Sequence, residues 1–483
     1  MIVWRAFFRL LGFFIGGVGL SLVIPLLYAV GTGDGGLYGL LVTTLLTGGL
    51  GAFLWWGIRR EPHEISHREG LLLVTAVWVA AAGLGALPFL FSGAIPNYTD
   101  AFFETISGFT TTGATIVTDV EGIPRSLLLW RAMTQWLGGM GIIVLGIAVL
   151  PILGVGGMSL YRAEFSGARS EKLKPRVAET ALALWRIYVF LSLAEYVALR
   201  VAGMNMFDAV CHTFTTMATG GFSTRAKSIE GFHSPAIEYI VTFFMFVAGI
   251  NFIRHHQVLT ERRLGRFWRD VEVRTYLVLL GVSILLVMAA LLVSSEMAGE
   301  EAFRAASFQV VSIMTTTGFS SADFGQWVPF ACFVLLSLMF IGGCTGSTAG
   351  GIKVSRLVLL TKVVSRQFKR VVERRGVFSL RMEGRAVSEA TVDGLLNLVF
   401  LVFLMTFGAC LVVTATGADL VTSFSAVVAC MFNVGPGLGD VGPASHYAHF
   451  PALVKWTLSL CMLAGRLEFF TVLVLLTPAF WRK

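Results

Sequence analysis

The chain has 483 residues, 55% of them hydrophobic and only 14% charged, with a mean hydropathy of +0.77. Soluble domains carry about 25% charged residues, so this composition excludes an ordinary soluble enzyme or binding module and points to lipid as the solvent. The net charge of +8 and pI near 9.3 do not call for nucleic acid, because the basic residues are grouped in a way that marks a membrane topology.

Windows of about 20 apolar residues, the length that crosses ~30 Å of hydrocarbon, recur at residues 6–30, 35–57, 70–92, 126–150, 182–203, 235–253, 274–296, 327–343, 389–416 and 450–480. Ten windows predict an all-α polytopic bundle. The first follows Arg5 and Arg9 and so has the outline of a signal peptide. It is long, however, lacks an Ala-x-Ala site and runs within a few residues into the second window, which predicts a retained helical hairpin over 1–57.

Of the 37 Lys and Arg residues, 29 fall at the two ends and in the segments 59–69, 162–186, 254–274 and 353–385. Lys and Arg in short loops stay on the cytoplasmic side, so both termini are expected to be cytoplasmic, with the basic segments also meeting anionic lipid headgroups. Six cysteines lie in apolar stretches without Cys-x-x-Cys spacing, a pattern that indicates small buried hydrophobes and neither a disulfide framework nor a zinc site.

Between the basic segments a unit of helix, short outward segment and helix occurs four times. The outward segments read Asp100 to Thr115, Asp208 to Thr224, Phe308 to Ser321 and Phe424 to Gly439. Each has about three helical turns, too short to span, and then polar residues and glycine. Aligning Gly113, Gly220, Gly318 and Gly435 gives separations of 107, 98 and 117 residues, so a repeat of about a hundred residues is expected. The units are 58–160, 161–265, 266–370 and 371–483.

Irregular backbone at membrane depth is tolerated only where protein or a water-filled cavity satisfies its polar groups. Four such segments are therefore expected to face one another, with carbonyl oxygens replacing the hydration shell of a bare cation. The residues expected to form this filter are Thr111, Thr112 and Gly113; Thr219 and Gly220; Thr316, Thr317 and Gly318; and Asn433, Val434 and Gly435. Neutral oxygens suit a monovalent ion better than Ca²⁺ or Mg²⁺. Strand four departs from the others, since Asn433-Val-Gly435-Pro436 replaces Thr-Thr-Gly. Asp100, Glu104, Asp208 and Asp323 read as caps of short helices.

These segments resemble the TrkH and KtrB superfamily of potassium transporters over essentially the whole chain, and the hairpin at 1–57 resembles the TrkH branch more than the KtrB branch. The resemblance implies four pseudo-symmetric helix, pore-loop, helix units around one central pore, with K⁺ as the bound substrate. It also assigns Gly342, Gly343, Cys344, Thr345, Gly346, Ser347, Gly350, Gly351 and Lys353 to an intramembrane gating loop. Five glycines in ten residues oppose a continuous helix there, at roughly 1 kcal/mol each relative to Ala. Arg466 matches a pore-facing arginine of the family, with a pair to Glu468 or a bond to a backbone carbonyl as the structural alternative.

The resemblance further implies a homodimer in the cell inner membrane and a cytosolic TrkA-like regulatory ring. Nucleotide, either NAD(H) or ATP/ADP, is expected on that partner, because this chain is read as lacking a Gly-x-Gly-x-x-Gly or Walker motif and no organic cofactor is expected in it. The segment from Lys353 to Arg385 is a candidate docking surface. The alternative reading is an ion-coupled secondary transporter, with H⁺ or Na⁺ moving alongside K⁺, or a transporter of another small solute; an enzyme is not expected, since no nucleophile with a partnered base, metal cluster or phosphate loop stands out.

Overall fold

The computed structural model describes residues 2–58, 66–144, 173–261, 264–294, 297, 299–382 and 385–482. The end of the window at 126–150, the first part of the basic segment 162–186 and part of 59–69 lie outside them. Among the described residues six helices are long and apolar enough to cross a membrane, or up to eight if each of two bent pairs counts as one span.

The N-terminal hairpin packs Trp4–Ser21 against Leu37–Gly57 through glycine. A Cβ at Gly19 would stand 2.8 Å from the Gly48 nitrogen, and one at Gly51 would stand 2.5 Å from the Gly16 nitrogen. Without side chains the two backbones approach closely, which is how helices associate when lipid and side chain are equally apolar.

Four short, almost wholly buried helices follow in the outward segments: Tyr98–Phe109, Met206–Met217, Gly299–Met314 and Leu420–Met431. Three have a side-chain N-cap in front of the first turn. Asn97 accepts from the Thr99 N–H at 2.9 Å, Asn205 from Asp208 at 2.9 Å, and Asp419 from Val421 at 2.8 Å. The first two caps are thus three residues earlier than the expected Asp100 and Asp208. Asp100 instead meets the Lys455 ammonium at 2.6 Å, and Glu104 is buried against Arg131 at 2.6 Å. Asp208 accepts from the Thr224 hydroxyl at 2.6 Å, and only Asp323 caps as expected, accepting from Gly325 N–H at 3.0 Å.

Three apolar windows prove discontinuous. Pro235–Ala248 turns by 98° into the helix starting at Phe252, and Ala452–Arg466 turns by 116° into the helix starting at Phe470. In the first break the side chain of Asn251 accepts from Ile253 N–H at 2.8 Å and starts a new helix. In the second, Glu468 adopts φ +58° and a left-handed residue ends the helix. The third window, 327–343, forms only the 11-residue helix Pro329–Met339. Beyond it the glycine-rich segment runs as an irregular loop, joined by a parallel bridge of Ile341 with Ile352, to the amphipathic helix Val354–Val372.

One sequence reading is corrected here. The string from Gly437 to Gly442 does have the Gly-x-Gly-x-x-Gly spacing. It forms a 3-10 turn at Gly439–Val441, with the Gly442 N–H on the Gly439 carbonyl at 3.0 Å. A dinucleotide fingerprint requires a strand-to-helix turn, so the spacing has no such meaning here.

Candidate functional site

The four short helices end in the same way. The N–H groups of Thr111, Thr219, Thr316 and Asn433 turn back to carbonyls three residues earlier, and those of Thr112, Gly220, Thr317 and Val434 turn back to carbonyls five residues earlier, the latter all at 2.8 Å. This is the Schellman pattern, whose penultimate residue is left-handed and usually Gly. Here it is Thr111 (φ +52°), Thr219 (φ +53°), Thr316 (φ +57°) or Asn433 (φ +57°). A β-branched residue at positive φ is strained, so the surrounding packing over-determines a conformation the residue would not choose.

Two residues further on, each strand has a second left-handed position: Gly113 (φ +84°), Gly221 (φ +79°), Gly318 (φ +81°) and Gly435 (φ +98°). The counterpart of Gly113 in strand two is therefore Gly221. Gly220, aligned with it on sequence, instead corresponds to Thr112, Thr317 and Val434. The Gly-Gly doublet allows either register in the sequence, and the helix-end hydrogen bonds decide it.

These glycines connect the four strands in a closed cycle. A Cβ on Gly113 would strike the carbonyl oxygen of Gly220, one on Gly221 that of Thr317, one on Gly318 that of Val434, and one on Gly435 that of Thr112. Each strand thus abuts the next, and the fourth returns to the first. The Asn433 side-chain amide closes the same junction, donating to the Thr112 hydroxyl at 2.9 Å and to the Met462 carbonyl at 3.0 Å. Strand four differs as its sequence suggests: Pro436 lies against Gly318, and the Tyr447 hydroxyl donates to the Gly435 carbonyl at 2.8 Å.

Buried polar groups hold the strands as they leave the ring. The Glu104 carboxylate accepts from the Thr115 hydroxyl at 2.9 Å and the Ile116 N–H at 2.9 Å while pairing with Arg131. His212 lies 2.9 Å from the Ser223 hydroxyl, and the Ser312 hydroxyl donates to the Phe319 carbonyl at 2.7 Å.

The glycine-rich loop crosses the C-terminal ends of the short helices. Gly350 N–H donates to the Thr316 hydroxyl at 2.6 Å, and a Cβ on Gly350 would stand 2.5 Å from the Phe432 carbonyl oxygen. The Thr348 hydroxyl reaches the carbonyls of Met217 at 3.1 Å and Ala248 at 3.3 Å. Cys344 N–H donates to the Gly249 carbonyl at 2.8 Å, and Gly346 accepts from Phe252 N–H at 3.1 Å, so the break in the neighbouring helix supplies the loop with partners. Gly342 and Gly343 leave room for the Gly350 carbonyl and the Ala349 methyl, and Gly351 for Gly342. The Ser347 hydroxyl bonds the Cys344 carbonyl at 2.6 Å, and the Lys353 ammonium turns back onto the Ala349 carbonyl.

Arg466 is buried at the end of Ala452–Arg466. Its guanidinium donates to the Thr348 carbonyl at 2.9 Å and to the Gly138 carbonyl at 3.4 Å. Glu468 is not its partner, as it pairs with Arg356 at 2.8 Å. The loop's legs are held together by Glu272, which sequence reading missed. Its Oε1 accepts from Thr345 N–H at 2.6 Å, the Thr345 hydroxyl at 3.0 Å and Ser355 N–H at 3.0 Å.

Among known proteins, a family model named TrkH and described as "Cation transport protein" matches residues 41–483. The chain is 44% identical to the Trk system potassium uptake protein TrkH of Escherichia coli (strain K12), over 99% of this chain and 100% of that one. It is 41% identical to the protein of the same name from Halomonas elongata, over 99% of each chain. Its backbone matches the crystal structure of the potassium transporter TrkH from Vibrio parahaemolyticus with a TM-score of 0.91 at 40% identity, over 100% of both chains. With its apolar spanning helices, the chain belongs to the TrkH family of cation transport proteins and is a multi-pass membrane transporter, not an enzyme.

Proposed function

We propose that the chain takes up potassium ions across the cell inner membrane through a filter of backbone carbonyls, and that the glycine-rich loop gates this path. The observation that carries the reading is the closed cycle in which each strand's left-handed glycine abuts the carbonyl before the next strand's glycine. Neutral carbonyls can replace a hydration shell, and a set without carboxylates favours a monovalent over a divalent cation. The short helices bring their C-terminal ends, which are partially negative, to the same place. That the relatives from Escherichia coli and Halomonas elongata are named potassium uptake proteins supports K⁺ as the cargo.

The ion ligands on this reading come from Thr111–Gly113, Thr219–Gly221, Thr316–Gly318 and Asn433–Gly435. The loop Gly342–Lys353 closes the path, with Arg466 adding an electrostatic barrier to a cation. The chain divides into the hairpin 1–57 and four pore units at 58–160, 161–265, 266–370 and 371–483, with both termini cytoplasmic. It works as a homodimer under a cytosolic nucleotide-binding ring of the TrkA type, which docks on the basic segment after Lys353.

The test is Rb⁺ and Na⁺ uptake by proteoliposomes holding the purified chain, with and without opposing H⁺ and Na⁺ gradients. Rb⁺ flux exceeding Na⁺ flux, and reduced or unselective in Gly113→Ser and Gly318→Ser, is expected. Unchanged ion preference in either variant contradicts the filter. Uphill Rb⁺ accumulation driven by an H⁺ or Na⁺ gradient would replace passive conduction with symport.

A further inference from the structure

Strand two lacks a side chain where the other three strands have one, and the helix behind it fills the gap. Gly220 stands at the position of Thr112, Thr317 and Val434, as its N–H bond to the Thr215 carbonyl at 2.8 Å establishes. Its φ is not positive, so backbone conformation does not demand glycine here. Packing does, because a Cβ on Gly220 would run into the carboxamide of Gln135.

Gln135 lies on the helix Arg125–Val144 and is 0% exposed. Its Nε2 donates to the Gly220 carbonyl at 2.6 Å, and its Oε1 accepts from the Phe222 N–H at 3.1 Å. The second bond fixes the orientation of the amide, since an N–H can meet only an acceptor. One turn earlier on the same helix, Arg131 donates to the Ser223 carbonyl at 3.0 Å and lies 3.5 Å from the Phe222 ring centroid. This helix therefore holds strand two at three successive points, residues 220, 222 and 223, with the left-handed Gly221 between the first two.

We propose that Gln135 is a positioning residue for ion selection, acting through the Gly220 carbonyl and resting on the filter reading above. A Gly-Gly strand is the most permissive backbone in the ring, and without the amide its carbonyl is free to close in on an ion smaller than K⁺. The Nε2–H also draws on the oxygen that faces Gly113, which makes strand two a ligand of lower field strength than its neighbours. In the other strands the side chains of Thr112, Thr317 and Val434 stand where the Gln135 carboxamide stands in strand two.

The experiment measures Rb⁺ and Na⁺ uptake, separately and in competition, in proteoliposomes of the full chain. It compares wild type, Gln135→Ala and the similarly sized Gln135→Met, with Gly113→Ser as the filter control and thermal melting to establish folding. Both Gln135 variants are expected to lower the Rb⁺-over-Na⁺ ratio by roughly three- to tenfold, the effect of one lost buried hydrogen bond, chiefly through a lower KM for Na⁺. A merely structural role would lower melting temperature and total flux and leave the ratio alone. If Gln135→Ala fails to fold, Gln135→Met decides. A wild-type ratio in a folded Gln135 variant, beside an altered ratio in Gly113→Ser, overturns this proposal and leaves the filter standing. An unaltered ratio in Gly113→Ser overturns the filter and this proposal with it.

Discussion

The Arg466 guanidinium donates to the carbonyl of Thr348, 118 residues away in the chain, at 2.9 Å. This bond ties the last spanning segment to the loop that crosses the ends of the short helices. A charge at membrane depth is costly unless protein or water solvates it, and here the carbonyls of Thr348 in the loop and Gly138 in the helix Arg125–Val144 do so. On the proposed gating, replacing Arg466 by Ala removes both the barrier charge and the tether. Basal Rb⁺ flux in proteoliposomes is expected to rise several-fold, and a variant with unchanged or lower flux at wild-type expression argues against a closing role.

Gly113 and Gly318 each combine positive φ with a neighbouring-strand carbonyl where a Cβ would go. Serine at either position meets about 1–2 kcal/mol of left-handed strain plus the collision. The expected result is a filter that widens locally and loses ion preference, read as the Rb⁺-to-Na⁺ flux ratio. By contrast Gly281, whose Cβ would meet nothing within 4 Å, should accept alanine with wild-type flux and melting temperature.

Glu272 accepts three hydrogen bonds that join Thr345 to Ser355 across the base of the loop. Hydrogen bonds to a charged group contribute about 1.5–3 kcal/mol each. Glu272→Gln weakens all three and should raise basal flux while lowering the melting temperature by a few degrees. Cys344, which is fully buried in the loop, should at the same time react faster with a water-soluble thiol reagent; unchanged labelling would show that Glu272 does not hold the loop shut.

The buried Glu104–Arg131 pair gives a prediction about stability. Removing one member strands the other, at a cost of about 3–5 kcal/mol, so Arg131→Met should be severely destabilised. The double variant Glu104→Gln with Arg131→Met should recover much of the loss in melting temperature. Additive losses would show that the two groups are not energetically coupled.

A packing prediction separates Gln135 from its neighbour. Gly220→Ala alone should melt several degrees lower, because its Cβ meets the Gln135 carboxamide. In a Gln135→Ala background the same change should cost little, since the space is vacated. An equal cost in both backgrounds would place the obstruction elsewhere.

The helices and the four outward segments were legible because the sequence states them directly: apolar runs of spanning length, and short amphipathic stretches ending in polar residues and glycine. Arg466 was legible as a cation inside an apolar segment that matches a pore-facing arginine of the family, but its partner was not, since nothing local couples residue 466 to residue 348. The breaks at Gly249 and Glu468 were hidden, because the few polar residues there, Asn251 in the first and Arg466 and Glu468 in the second, do not by themselves reveal a change of backbone direction. The register of strand two was ambiguous in the doublet Gly220-Gly221 and needed the helix-end hydrogen bonds. Gln135 and Glu272 escaped notice because a single polar residue on a helix carries no signal until the strand or loop it holds is in view.

The central claim is that four strands enclose one bare alkali cation. The most direct measurement is a crystal structure of the chain grown with Rb⁺, read by anomalous scattering. The account predicts a peak within the ring bounded by Thr112, Gly220, Thr317 and Val434, and its loss in Gly113→Ser. A transport-competent protein whose Rb⁺ peak lies outside that ring would contradict it.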